Sequence, residues 1–260
     1  MGHRITLIKL DRRISKQALP GLRGAIASMF PEDTMYHNHD GKALMYRYPM
    51  IQYKLISGKA TIVGIDDGAD SLDEHFALGQ SFDLVIHDRQ LSMKVIEKNS
   101  VFYIPESIEN ADYYYFLKDW LPLNQENWAR YIKAESISEK IALLDNILSA
   151  NILSLFGGFD YLSAYKSKAS ILEIVNSGKV NYKGNEMLSF DIRFKCNAIL
   201  PEFCGMGKGA SHGFGTIYKS HPRNRFQNIY AHENRPYEPY CATFKHNGAL
   251  PLYRKLKNGG

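Results

Sequence analysis

The tightest constraint this chain places on its fold is the order in which strand-period and helix-period segments follow one another over its first 105 residues. Residues 3–10 are apolar and β-branched and predict an opening strand. Pro20 stands at the first turn of a predicted helix that runs to about Met29, with Leu19, Leu22, Ile26 and Met29 as its apolar stripe; Pro31-Glu32-Asp33 stops it. A stretch rich in Tyr, Met and Ile over residues 44–56 leads to a hairpin turn at Ser57-Gly58-Lys59 and a returning strand over 60–65. A helical pattern over 70–78, capped by Asp or Ser, precedes two alternating strands over 81–87 and 91–104, which end at Pro105. Strand–helix–strand–strand–helix–strand is the ferredoxin-like βαββαβ unit.

A second pass begins near residue 108. A strand is predicted over 113–117, then helices over about 125–133 and 138–155 with Asn124 and Ser138 as caps. The second helix carries Ile141, Leu144, Leu148 and Ile152, and Gly157-Gly158 closes it. Strands over 171–175 and 180–182 flank Asn176-Ser177-Gly178-Lys179. A longer strand covers 187–200, and one near 214–218 completes a second, related domain. The expectation is an α+β chain of two tandem ferredoxin-like domains, 1–107 and 108–219. Residues 220–260 stay unassigned, because Pro222, Pro236, Pro239 and Pro251 break any long element there.

Charge and cysteine usage exclude several classes. The net charge of +5 comes from the last forty residues. Seven Lys/Arg and two Glu lie in 220–260; subtracting them from totals of 32 and 27 leaves 25 of each sign in the body. Any anion-binding surface in residues 1–219 is therefore a local patch. Tyr230, Tyr237, Tyr240, Phe244 and Tyr253 interleave with the basic residues of the tail, a composition compatible with single-stranded nucleic acid but equally with an irregular appendage. No apolar run is expected to reach the length that spans a bilayer, and no secretory pattern opens the chain, so no membrane partner is expected. Cys196, Cys204 and Cys241 form no CxxC pair, and their odd number argues against a disulfide framework and for a reducing cytoplasm.

Two motifs carry chemical information. Residues 205–215, Gly-Met-Gly-Lys-Gly-Ala-Ser-His-Gly-Phe-Gly, hold five glycines in eleven residues, so the backbone must need unusual dihedrals or close approach. The GxGxxA dinucleotide fingerprint is satisfied at 205–210, but no helix follows. GxSxG is satisfied at 209–213, but without a strand-to-helix elbow. Lys208 is followed by Gly, so there is no Walker A loop. What remains is a loop of backbone N–H groups with Lys208 and His212, suited to phosphate oxygens. The second motif is His37-Asn38-His39, beside Tyr36, Tyr46, Tyr48, Tyr53 and the bases Lys42, Arg47 and Lys54. Two histidines suit proton transfer near neutral pH. His37, His39 and Asp40 can also be read as metal ligands, but no further local ligand completes a first shell, and nearby cations suit a phosphate better than a metal ion.

Together these segments resemble a known family. The glycine pattern of 205–215, late in a chain of two ferredoxin-like units, resembles the glycine-rich loop of the RAMP superfamily of CRISPR proteins. Leu22-Arg23-Gly24-Ala25-Ile26, Tyr36-His37-Asn38-His39 and Tyr46-Arg47-Tyr48-Pro49-Met50-Ile51-Gln52-Tyr53-Lys54 resemble the amino-terminal region of the Cas6 endoribonucleases that cut CRISPR precursor RNA. The similarity is to the branch with an FHNH-like segment followed by YKYPLIQYK, with Tyr36 in place of the usual Phe, and it covers about residues 3–219. It implies cleavage within the repeat without metal or cofactor: the 2′-hydroxyl attacks the adjacent phosphate, leaving a 2′,3′-cyclic phosphate and a 5′-hydroxyl. On that reading one of His37 and His39 takes the 2′-hydroxyl proton while the other protonates the leaving 5′-oxygen, or a single histidine serves with a cation, and Arg47, Lys54 or Lys42 stabilises the charge on the phosphorane. Gly205, Gly207, Lys208, Gly209, Ser211, His212, Gly213 and Gly215 hold the RNA backbone. The implied partners are CRISPR repeat RNA and crRNA, with other Cas effector subunits and a second copy of the chain allowed. A non-cleaving crRNA-binding RAMP subunit is the alternative, since the glycine-rich loop is common to both roles.

Overall fold

A computed structural model describes residues 2–37, 39–40, 43–44, 48–86, 88–163 and 166–220; the basic tail and Cys241 lie outside the described residues. In the first half, β1 (His3–Arg13), α1 (Leu19–Met29), the short strands β2 (His39–Asp40) and β3 (Ala43–Leu44), β4 (Ile51–Ile56), β5 (Lys59–Ile65), α2 (Asp67–His75), β6 (Ser81–Ile86) and β7 (Arg89–Tyr103) follow in sequence. The sheet runs β4-β5-β1-β7-β6, with each neighbouring pair antiparallel. Apart from β6 at the edge, this is the strand order of a ferredoxin-like unit.

Alternation along the strands decides what each face of that sheet covers. Ile8, Leu10, Tyr53 and Ile62 point to the side where Leu22 and Ile26 of α1 and Leu72 of α2 pack. Ile5, Val63 and Ile65 point to the other side and share one core with Leu117, Trp120, Leu144 and Phe156 of the second half. The side of β4 carrying Gln52 and Lys54 therefore faces the second half of the chain.

After the short strand β8 (Glu106–Ser107), the second half contains β9 (Tyr113–Trp120), α3 (Gln125–Lys133), α4 (Ile137–Gly158), β10 (Ala169–Tyr182), β11 (Asn185–Cys196), β12 (Ala198–Ile199) and β13 (Thr216–Lys219). Its sheet order, β10-β11-β9-β13, repeats that of the first half. The two-domain ferredoxin-like fold expected from the sequence is the fold observed. One difference matters for function. The second crossover, residues 200–215, holds no α-helix and only a 3₁₀ turn at Ala210–His212. A segment this rich in glycine is a poor helix former, and it becomes a loop laid against the first half.

Three local expectations are corrected. Asn176-Ser177-Gly178-Lys179 is not a turn. β10 continues through it, paired with β11, and absorbs the irregularity as register shifts between Ile171 and Glu173 and between Ile174 and Asn176. The hairpin turns instead at Lys183 and Gly184, whose φ of 52° and 80° match the positive pair a tight hairpin needs. Ser136, not Ser138, caps α4: its hydroxyl accepts from the Glu139 N–H, and Glu139 accepts from the Ser136 N–H, a capping box. Finally, α4 is long and apolar enough, by length and composition, to cross a membrane, contrary to the expected absence of such a run. In this fold its Leu144, Leu148, Ile152 and Phe156 are buried in the core shared with the second sheet. Cys196 and Cys204 are free thiols, both buried.

Candidate functional site

The glycine-rich loop is fastened to β4 by three side chains of the first half. Gln52 accepts the Gly205 N–H at 2.7 Å and donates to the Pro49 carbonyl at 3.0 Å. Tyr48 donates its hydroxyl to the Gly205 carbonyl at 2.6 Å. Lys54 is fully buried, and its Nζ donates to the carbonyls of Ala210 at 2.8 Å and Phe214 at 3.4 Å. Burial disfavours the charged amine and brings its pKa down to about 7. A Cβ at Gly205 would collide with that Nζ, so glycine is what lets the loop sit so low. At Gly215, where φ is +60°, a Cβ would overlap the Met206 carbonyl.

The other side of the loop meets β9 and α1. Asp119 holds a positive φ, accepts the Gly215 N–H on its carbonyl at 3.1 Å and donates its own N–H to Asp191 at 2.7 Å. Its carboxylate pairs with Lys16 at 2.7 Å, and the same ammonium lies 4.1 Å from the Phe214 ring centroid. Arg23 of α1 donates to His212 Nε2 at 2.8 Å, which fixes the tautomer: Nδ1 carries the proton and donates to Ser211 Oγ at 2.9 Å. Burial, then the Arg23, Lys183 and Lys54 charges, bring the His212 pKa down to about 4. His212 is thus a neutral acceptor that holds Arg23. Tyr182 stands edge-on to His212 and Phe214, with the Lys208 ammonium 5.6 Å from its ring centroid.

The histidine segment lies at the far end of α1. The helix begins at Leu19, against which a Cβ on Gly213 would press at 2.5 Å, and its C-cap is Phe30, whose carbonyl lies 3.4 Å from His37 Nε2. At 1.5 Å per residue, the two ends are separated by roughly 16 Å. Tyr36 is buried beneath the segment; its hydroxyl donates to the Ser71 carbonyl at 3.4 Å and lies 3.1 Å from His75 Nδ1, while the Phe30 and His75 rings stack at 4.0 Å. His75 also faces Asp33 at 3.6 Å. These contacts anchor the start of the segment and leave His37 half-buried.

The candidate residues from the sequence therefore separate. Lys54, Gly205–Gly215 as a block, and His212 come together, while His37 lies by the opposite end of α1 from the one that Gly213 approaches. His39 is placed by its backbone in β2; its side chain, with Arg47 and Lys42, falls outside the described residues. Lys54 is corrected from a cation facing phosphate to a buried clamp on the loop. Gly205, Ser211, Gly213 and Gly215 are also buried, so they shape the loop and do not touch a ligand in solvent. The part open to one is the tip, Gly207, Lys208 and Gly209, whose N–H groups make no hydrogen bond among the described residues. The sequence reading missed Gln52 as a site residue. Its signal was present: Gln52 and Lys54 stand two apart in an otherwise apolar strand, so both polar groups fall on one buried face.

Comparison with known proteins agrees with this architecture. Residues 3–101 match the family model of the Cas6b N-terminal domain, and residues 106–220 that of the Cas6b C-terminal domain. A crystal structure of Cas6b superposes over 85% of this chain and 100% of its own, with a TM-score of 0.74 and 25% identity. A second, of a CRISPR RNA processing endoribonuclease Cas6b, covers the same shares with a TM-score of 0.64 and 22% identity, and shares the fold. An uncharacterized protein of Methanocaldococcus jannaschii is 36% identical over 111 residues, 43% of this chain and 74% of that protein.

Proposed function

The chain belongs to the Cas6b family, and from that premise we propose that it is an endoribonuclease that cuts CRISPR precursor RNA within its repeats. The observation that carries the proposal is the end-to-end match of both domains to that family, joined to a half-buried histidine on the segment that the family resemblance marks as catalytic. The reaction is attack of a ribose 2′-hydroxyl on the adjacent phosphate, giving a 2′,3′-cyclic phosphate and a 5′-hydroxyl, with no metal ion taking part. The hydrogen bond from His37 Nε2 to the Phe30 carbonyl requires a proton on Nε2. Nδ1 is then the lone-pair nitrogen, suited to accept the 2′-hydroxyl proton. His39 protonates the departing 5′-oxygen, and the Arg47 guanidinium stabilises the charge that builds on the phosphorane. The loop tip at 207–209, with Lys208 and the His212-held Arg23, binds backbone phosphates some way along the same strand.

The test uses labelled repeat RNA from the CRISPR array nearest the gene, in excess EDTA, beside a copy whose target 2′-hydroxyl is replaced by hydrogen. A single cut in the ribose RNA and none in the deoxy copy is expected. The variant His37→Ala with His39→Ala should bind RNA and not cut it; undiminished cutting would overturn the assignment of the histidines. Tight binding without a cut by the wild-type chain would instead support a non-cleaving crRNA-binding subunit.

A further inference from the structure

Beyond the histidine segment and the loop, the second domain holds a cavity of about 360 Å³ between α3 and α4, which is the size range of small-ligand pockets. Its apolar floor includes Leu143 and Ile147 of α4. Around that floor stand four asparagines, Asn124, Asn127, Asn146 and Asn151, and at its rim Arg130 and Lys208. No acidic side chain lines it. The geometry of α3 explains the set, because positions 124, 127 and 130 recur every three residues and share one helix face.

Two of the amides are already oriented. Asn151 accepts the Trp120 indole N–H at 2.9 Å, and Asn124 accepts the Asn127 backbone N–H at 2.8 Å. Each therefore has its carbonyl oxygen committed and its NH₂ left as a donor. The side chains of Asn127, Arg130 and Asn146 make no hydrogen bond or ion pair among the described residues. The cavity also adjoins the loop tip. A Cβ on Gly207 would come within 2.7 Å of Asn151 Oδ1, and Lys208 belongs to both features.

An apolar floor, fixed amide donors, free amides and two cations together match one ligand chemistry: a planar base with a hydrogen-bonding edge, carrying a phosphate. We propose that this cavity receives a single splayed-out nucleotide of the bound RNA, its base on the asparagines and its phosphate on Arg130 and Lys208. The site gives the protein a base-reading position in the second domain, whereas the histidine segment belongs to the first, so that sequence is read away from the cut. The proposal rests on the reading of the chain as a CRISPR RNA nuclease.

The experiment separates the two. Repeat RNA made uncleavable by a deoxy sugar at the cut is prepared as a set, each member lacking one base, and its affinity is measured for wild type and for Asn127→Ala with Asn146→Ala. One abasic position is expected to weaken wild-type binding on the order of tenfold, and to weaken the variant by less than about threefold. Arg130→Ala, on the exposed face of α3, should make the log–log salt dependence shallower by about 0.7. No binding of any repeat by wild type would remove the functional reading itself. Binding with the same abasic profile in wild type and variant would remove the base site alone, and an unchanged salt slope would remove the phosphate contact.

Discussion

Replacing Lys54 by methionine isolates the electrostatics of the clamp beneath the glycine-rich loop. In the folded protein Lys54 is fully buried and faces the carbonyls of Ala210 and Phe214 with its ammonium. Its pKa falls from 10.5 to about 7, so the unfolded chain binds a proton there more readily than the folded one at every pH between those values. Stability contributed by this group therefore rises with pH from about 7 upward, and its full penalty is present below 7. At about 1.4 kcal/mol per unit, the rise between pH 7 and 9.5 is about 3 kcal/mol. Methionine fills a similar volume and has no charge to desolvate, so the variant lacks this rise. It also leaves the two carbonyls without their donor, at about 1–3 kcal/mol each. Near pH 6 relief of the buried charge offsets that loss, and the two proteins should differ by no more than a few kcal/mol. By pH 9.5 the variant should have fallen behind by a further 3 kcal/mol or so. Denaturant unfolding of both proteins at intervals from pH 6 to 9.5 measures the difference, and groups common to both cancel. Parallel stability curves across that range would refute a depressed Lys54.

Two further outcomes follow from the same contacts. Gly215→Ala places a Cβ on the Met206 carbonyl and an L-residue at φ +60°, which costs about 1–2 kcal/mol before the overlap is counted. A fall in Tm of roughly 5 °C together with weakened repeat-RNA binding is expected, and an unchanged melting curve would contradict the observed loop path. His212 should titrate near pH 4 by imidazole NMR, and Arg23→Met should raise that value by removing both a nearby charge and the donor to Nε2. An ordinary histidine titration in the wild-type protein would show that Arg23 and His212 are not paired.

Most of the fold was legible along the chain, because the fold rests on periodicity. The apolar, β-branched runs at 3–10 and 60–65, the alternation in 81–87 and 91–104 and the helical spacing in 19–29 and 138–155 are local properties, and they name strands and helices before any tertiary contact forms. The glycine density of 205–215 also marked, from composition alone, a segment that folds as a loop against the first half. Local signals misled where a bulge competes with a turn: Asn176-Ser177-Gly178-Lys179 has turn chemistry, yet a long partner strand in β11 holds it extended. Tertiary structure alone decided what the marked residues do. Lys54 and Arg47 look equivalent as basic residues near the histidines, but the side of β4 that Lys54 occupies is sealed by the second domain. His212 looks like a titrating base, but burial and the Arg23 guanidinium keep it neutral. The asparagine cavity has no signature along the chain, since its walls come from α3, α4 and the loop, brought together only when the second domain folds. Desolvation and proximity are properties of the assembled core, and they set the chemistry of a side chain that sequence can only name.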